Sequence, residues 1–570
     1  MKGFIKQCCK YRSELVIAGI CLACFIIRLI LGYTHYEIND DMHMNLIAAG
    51  AYSADSQYLI FCNILYGYFL KILYHLIPGV NWYLWVFLLS SLLGITALCI
   101  VLSGGRDVPL SGAVITAFLI NWLLGEQFYN SIQWTKNASF YAILLFIFLL
   151  CFLKNGKRRY LLLALLYCFL SIGIRDSCFA MVLPFGMLFV AGFQLAAGDG
   201  IRKTVLRTLI VAAGLFLIYL SMSGIQKYAY GQDGWKEFRA YTLARASVLD
   251  YGTIEEMGEK HEGELSEIGV CREDIDMLKR SLFDDPDFFT TDRLRAISKT
   301  IRSGESAHKT SAFLAGEVLG QVAHRTLMFR ICMIFWGILL AVLIFSQNVI
   351  FKLLSLGTAL GILGEYYCLA RIARMVWRVE YGIWLAAVLL LSGTFVLLYG
   401  MKWDRRKLNM ILLIFAALLV LRDAYRLFNV FSTEKQYSIA GREGTHYEFF
   451  SEIKDDSVFY LGDGYIFMAG EWAKNIYDID RSYEGYFSRF SSLGDWDTGS
   501  PPVVEKLASA GIPNPIRALA EHGDVRLASD EEGAGVVLRY LRAHYDPEIE
   551  VVKRESIGGV EIWQFSAGHN

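Results

Sequence analysis

The stretch "YLIFCNILYGYFLKILYHLI", residues 58–77, is long enough to cross a membrane but carries Lys71 and His75 inside it. Whether it crosses sets which side every later loop of the chain occupies. The rest of the sequence makes the question meaningful. Of 570 residues, 55% are hydrophobic and only 19% charged, with a mean hydropathy of +0.40. The apolar residues run in blocks of about 20, the length of a membrane-spanning helix. The composition is that of a polytopic membrane protein.

Apart from 58–77, the spanning segments predicted are 14–33, 81–102, 109–125, 138–154, 160–174, 177–197, 205–224, 327–346, 348–367, 380–400 and 408–423. Positive charge decides the ambiguous stretch, because short cytoplasmic loops are enriched in Lys and Arg. If 58–77 lies along the interface, four basic clusters fall on one side: Lys2–Arg12, "KNGKRR" at 154–159, "GIRKTVLR" at 200–207 and "KWDRRK" at 402–407. If it crosses, the last three change sides. The expectation is therefore eleven transmembrane helices, with 58–77 as an amphipathic juxtamembrane helix. The N-terminus is placed in the cytoplasm of a multi-pass plasma-membrane protein, and the C-terminus outside.

The first apolar run is too long for a signal peptide, and no small-x-small cleavage site follows it. The twelve cysteines form no disulfide framework, and the C-x-x-C of Cys21 and Cys24 lies inside an apolar run. The net charge of -1, without a basic patch, gives no footprint for nucleic acid.

This division gives a membrane domain, 1–424, and an extracytoplasmic domain, 425–570. The first includes the external loop 34–80 and the charged external segment 225–326. In the second, "SVFYLGDGYIFM", "GDVRLAS" and "GGVEIWQFS" read as strands, and "VVEKLASAG" and "GVVLRYLRAHY" as helices between them. That pattern predicts a small α/β fold.

Several polar residues fall at the outer boundary. "YEINDDMHMN", 36–45, places Asp40 and Asp41 where no Lys or Arg occurs from Thr34 to Gln57. Asn39 or Asp40 would suit the N-cap of the helix that follows. Asp40, Asp41 and His43 also offer ligands for a divalent cation, at generic spacing. Arg175, in "GIRDSCFAMVLPF", stands at a membrane edge beside Asp176. Arg371, Arg374 and Arg378, in "RIARMVWRVEY", share a helix face at i, i+3 and i+7. Guanidinium groups gathered at such a surface suit a phosphate. They also suit plain pairing, Arg175 with Asp176 and Arg378 with Glu380. The loop "LGEQFYNSIQWTKNASF" adds Glu126, Tyr129, Gln133, Trp134 and Lys136. Its aromatic and amide groups can hold a sugar or anchor the interface, Lys136 can meet a phosphate, and Tyr58 opens the juxtamembrane stretch.

The order of these features resembles the GT-C superfamily of membrane glycosyltransferases, which includes the protein mannosyltransferases and the lipid A aminoarabinose transferases (family 39-like). The resemblance covers residues 14–425. It rests on an acid pair in the first external loop, then an aromatic juxtamembrane segment, "SQYLIFCNILYGYFLKILYHLIPG", which lacks the family's Pro-Pro. "IGIRDSCFAMVLPF" resembles the family's Lys-Gly-Pro segment, with Arg175 in the place of the Lys. The resemblance implies inverting transfer of a sugar from a polyprenyl-phosphate-linked donor to a cell-envelope glycan, lipid or protein. Asp40 or Asp41 would act as base, and the arginines and Lys136 would receive the donor phosphate. Glu126, Tyr129, Gln133, Trp134 and Tyr58 would hold sugar or acceptor. A transporter or flippase of lipid-linked sugars, and a non-catalytic scaffold for the C-terminal domain, are the alternatives.

Overall fold

The computed structural model describes residues 12–52, 55–104, 108–232, 234–250, 258–304, 311–372, 375–400, 446–454, 456–464 and 487–567, with isolated positions between them. The chain opens with α1, Arg12–Leu31. A two-residue strand, β1 (His35–Tyr36), and a short helix, α2 (Asn39–Ala49), follow. Gly50 ends α2 in the left-handed conformation at φ 74°, which glycine adopts without steric cost.

The ambiguous stretch becomes α3, Ile64–Leu76, of 13 residues. Its rise of about 20 Å is too short for a hydrocarbon core of about 30 Å. Ile64 N–H donates to Gln226 at one end, and Tyr74 donates to Asn45 and Asn81 near the other. Both ends of α3 therefore sit among residues of one face of the bundle, as the charge argument expects.

The main helices follow: α4 (Trp82–Leu102), α5 (Leu110–Gly125), α6 (Trp134–Asn155), α7 (Arg158–Ala196) and α8 (Ile201–Ala229). A π-helical turn, Glu126–Asn130, and strand β2, Ser131–Ile132, join α5 to α6. β2 pairs in parallel with β1, which pins the acid-bearing segment to the start of α6. Most of α6 is buried, whereas α8 buries only Thr204, Leu215 and Met222. A helix that is apolar on nearly all sides yet faces outward is matched to lipid.

α7 is a helix of 39 residues interrupted at Arg175, whose φ −157° and ψ 102° are extended. On one side of the break Ser171 bonds the carbonyl of Ala138. On the other, Cys178 bonds that of Thr135, and a Cβ on Gly186 would meet the Phe146 ring. Contacts that descend α6 and then ascend it mean that the chain reverses at Arg175.

The segment after α8 holds α9 (Trp235–Leu249), α10 (Glu262–Glu267), α11 (Arg272–Lys279) and α12 (Thr291–Gly304). The chain then re-enters the bundle as α13 (Ser311–Met328) and α14 (Arg330–Phe345), which meet at a bend of 101°. α15 (Val349–Arg371) and α16 (Trp377–Tyr399) complete the described bundle. Glu380 fastens the bend: Arg325 reaches it through two nitrogens, at 2.7 and 2.9 Å, and the Tyr366 hydroxyl donates at 2.8 Å. Glu380 is thus the partner of Arg325, an arginine the sequence reading passed over.

The C-terminal part contains α17 (His446–Ile453), β3 (Phe459–Gly462), β4 (Phe490–Ser492), α18 (Pro501–Ser509), α19 (Pro515–Glu521), β5 (Val525–Ala528), α20 (Glu531–His544), β6 (Glu550–Ile557) and β7 (Val560–Ser566). Its five strands run in the order β4-β3-β5-β7-β6, the first three parallel and the last two antiparallel to their neighbours. The α/β fold expected from the sequence is present, with β4 and β6 added. Residues 280–285 join this sheet. Phe283 and Asp284 donate their N–H groups to the Leu493 carbonyl, and Asp285 accepts from Asn514, Tyr540 and Tyr545. The segment after α8 and the C-terminal fold together form a cap over one end of the bundle.

The chain is a helical, multi-pass membrane protein with a small α/β domain, but the count of eleven spans needs correction. Seven described helices are long and apolar enough to cross on their own, or eight if the bent pair α13–α14 counts as one. α5 has only 16 residues, the segments 160–174 and 177–197 run on as the two halves of α7 with a single break at Arg175, and 408–423 lies mostly outside the described residues.

Candidate functional site

α2 starts at Asn39 with Ile38 in the N-cap position, so neither Asn39 nor Asp40 caps it. Both aspartates fall in the first turn, where carboxylates complement the positive end of the helix dipole. Neighbouring helical side chains diverge by about 100°, and this separates the pair. Asp41 turns inward and is wholly buried. It accepts from the Tyr83 hydroxyl at 2.9 Å and from the Trp134 backbone N–H at 3.1 Å. Burial drives its pKa well above the usual carboxylate range, against the pull of those two donors. Asp40 is only half-buried. Its pKa is also raised, first by desolvation and then by the negative charge of Asp495, while Arg378, His43 and Arg175 oppose the rise. One carboxylate is built into the fold, and the other is half-buried within electrostatic reach of Asp495, Arg378, His43 and Arg175.

His43, one turn along α2, is completely buried. Its Nδ1 lies 3.2 Å from Asp495 and its Nε2 3.1 Å from Asp497. The rings of Tyr52 and Trp496 pack against the imidazole at centroid distances of 4.9 and 4.4 Å. Burial works against the charge on His43, but the two carboxylates outweigh it and hold its pKa well above the ordinary value. The loop supplying them, "GDWDTG" at 494–499, belongs to the cap. Gly494 is required there, since a Cβ would lie 1.5 Å from the Ser281 carbonyl oxygen. Lys506 of α18 adds a contact, with its ammonium over the Tyr52 ring at 4.3 Å and bonded to the Tyr52 carbonyl at 3.1 Å.

Arg175 occupies the reversal in α7. It donates to Thr135 at 2.6 Å and to Ser177 at 3.1 Å, and its guanidinium lies over the Trp134 ring at 4.1 Å. Trp134 therefore joins both halves of the site, through its backbone to Asp41 and its ring to Arg175. Phe61 links that ring to Trp496 of the cap, at 5.3 and 4.8 Å.

The remaining predicted residues divide clearly. Arg378 is half-buried and acts on Asp40, Arg371 is exposed at the end of α15, and Arg374 lies outside the described residues. Lys136 is buried against Glu37 at 2.5 Å and Gln127 at 2.7 Å, so its charge is committed within the fold. Glu126 lies 3.7 Å from Arg330. Tyr129 is buried edge-on to Phe25. Gln133 caps α6 by accepting the Lys136 N–H. Tyr58 stacks on Trp235 at 3.9 Å, on the rim between α8 and the cap. The cation ligands read from the sequence, Asp40, Asp41 and His43, do not converge as a set: among the described residues His43 groups with Asp495 and Asp497.

Asp495, Trp496, Asp497, Tyr52 and Tyr83 were not singled out in the sequence. An acid–Trp–acid triplet between two glycines was the available signal, but nothing local ties it to His43. A large apolar cavity, about 1050 Å³, lies between α5, α14 and α16. Its lining residues Asn348 and Tyr399 belong to the far end of the bundle, so it is separate from Asp40.

The fold and this site define a membrane protein whose α/β cap completes a charged cluster at one end of a helical bundle. Compared with protein-family models, curated proteins and solved structures, the chain matches none.

Proposed function

We propose that this protein transfers a sugar from a polyprenyl-phosphate-linked donor to a cell-envelope glycan, lipid or protein, with inversion at the anomeric carbon. The observation that carries the reading is the setting of Asp40: a half-buried carboxylate of raised pKa, within electrostatic reach of Arg175 and Arg378, at one end of an apolar bundle. The acceptor oxygen attacks the anomeric carbon while its proton passes to Asp40. The bond from that carbon to the phosphate oxygen breaks, and the electron pair leaves with the polyprenyl phosphate. Arg175 and Arg378 offset the charge that grows on the phosphate. A free aspartate, with a pKa of about 3.9, is a weak base for an alcohol. The raised value at Asp40 brings it closer to neutrality, where general bases work best. Asp41 holds the turn that aims Asp40.

The acid-pair end is read as extracytoplasmic, with the N-terminus in the cytoplasm. Lys154 bonds the Leu397 carbonyl, and Asn348 that of Ala196, so the basic turns after α6 and α7 share the far end with the finish of α16. The cap, which meets the bundle through His43 and Asp497, lies at the other end.

The test is transfer by the purified chain in nanodiscs, offered a panel of radiolabelled polyprenyl-phosphate hexoses and pentoses, with release of polyprenyl phosphate as readout. Asp40→Asn is expected to slow release by about 100- to 10,000-fold while donor binding persists. Undiminished turnover in that variant would refute the assignment.

A further inference from the structure

A second cluster of ligating side chains lies within the cap, away from Asp40, and its interpretation is independent of the transferase reading. Cys271 precedes α11 and His544 ends α20, so the cluster joins the segment after α8 to the C-terminal fold. His544 Nε2 lies 2.6 Å from Asp274 Oδ1 and 3.7 Å from Cys271 Sγ. One ligand atom from each of the three residues falls within 4.8 Å of the others. The Glu273 carboxylate, two residues from Cys271, influences the thiol.

These groups are held in place before any ion arrives. Asp274 is wholly buried and its second oxygen takes the Cys271 N–H at 2.7 Å. The His544 ring packs on Phe288 at 4.4 Å and Tyr540 at 4.5 Å. An aspartate–histidine hydrogen bond accounts for two members of the cluster but not for a thiol directed at the same nitrogen. A tetrahedral zinc ion, with bonds of about 2.3 Å to sulfur and about 2.0 Å to nitrogen, separates those atoms by about 3.6 Å. The observed sulfur–nitrogen spacing needs no adjustment, and the oxygen and nitrogen need only move apart by less than about 1 Å.

We propose that Cys271, Asp274 and His544 bind a zinc-class divalent ion that fastens α11 to α20, with Glu273 or water as the fourth ligand. A thiolate with an imidazole selects zinc-like ions over magnesium or calcium. Zinc takes the thiolate, so binding releases the Cys271 proton.

The full chain in detergent, stripped with a chelator, is titrated with zinc against a competing indicator, and separately with cobalt. One equivalent of zinc is expected, and cobalt should show a thiolate-to-metal charge-transfer band. Cys271→Ser and His544→Ala should each weaken zinc binding by at least about 10-fold and remove the band. Cys271→His should retain zinc but lose the band, a result that misfolding cannot mimic. Zinc affinity unchanged in both Cys271→Ser and His544→Ala overturns the site. So does binding that disappears in His43→Gln instead, which would place the ion at the other cluster.

Discussion

His43 Nε2 and Asp497 Oδ2 lie 3.1 Å apart across 454 residues of sequence. One comes from the first loop of the bundle and the other from the cap. With Asp495 on the other ring nitrogen, the pair docks two domains through a buried cation between two acids. Removing one member of a buried ion pair leaves uncompensated charge, at a cost of about 3–5 kcal/mol. His43→Gln is therefore expected to loosen the cap, seen as faster hydrogen exchange across 487–509 and a lower thermal midpoint.

The same contact predicts a pH dependence. The folded His43 pKa lies above its unfolded value of about 6.5, so its stabilisation is complete below that pH. It fades as pH rises through the folded value. Asp495 is depressed: burial would raise it, but the charge and hydrogen bond of His43 bring it down. Its contribution holds above about 3.9 and is lost as pH falls through its lower folded value. Cap protection should be greatest between these limits and decline on the alkaline side. His43→Gln should flatten that alkaline decline, and an unchanged decline would exclude His43 as its source.

The two aspartates should separate in mutagenesis. The raised pKa of Asp41 favours its neutral form, and an Asn oxygen can accept from Tyr83 and Trp134 in the same way. Asp41→Asn should change stability by no more than about 1 kcal/mol, whereas Asp41→Ala strands two buried donors at about 1–3 kcal/mol each. Asp40→Asn should leave the thermal midpoint close to wild type but lower turnover by about 100- to 10,000-fold, the usual share of a general base.

Asp495 raises the pKa of Asp40, so Asp495→Asn should lower it. The acid limb of the pH–rate profile should move to lower pH. A limb that stays in place would mean that Asp40 is not the group titrating there.

Among the arginines, Arg175→Ala should weaken donor affinity by about 10- to 100-fold, the equivalent of one charge-assisted contact. Arg175→Lys should not restore it fully, because an ammonium cannot reproduce a planar group lying over Trp134. Arg371→Ala, at an exposed helix end, should leave affinity unchanged.

The period and length of apolar runs were enough to locate most of the bundle, because a helix in lipid must satisfy its backbone internally. Charge in the loops likewise identified 58–77 as the stretch that does not cross. Segment counting was weaker where segments are short or merged. Nothing in the letters around Arg175 distinguishes two helices from one interrupted helix, whereas its contacts with α6 do. Lys136 looked available for phosphate because its partner, Glu37, lies a hundred residues upstream on another element.

The sequence by itself determined a helical membrane protein with an acid pair at one boundary and an α/β domain at its C-terminus. These follow from hydropathy, periodicity and local turn chemistry, all short-range properties. Only the tertiary structure gave Asp40 and Asp41 different surroundings. The helical offset buries one against Tyr83 and Trp134 and leaves the other half-buried, within electrostatic reach of Arg378 and Arg175. It also brought Asp495 and Asp497 to His43, because desolvation and charge pairing act through space between residues that the sequence keeps far apart.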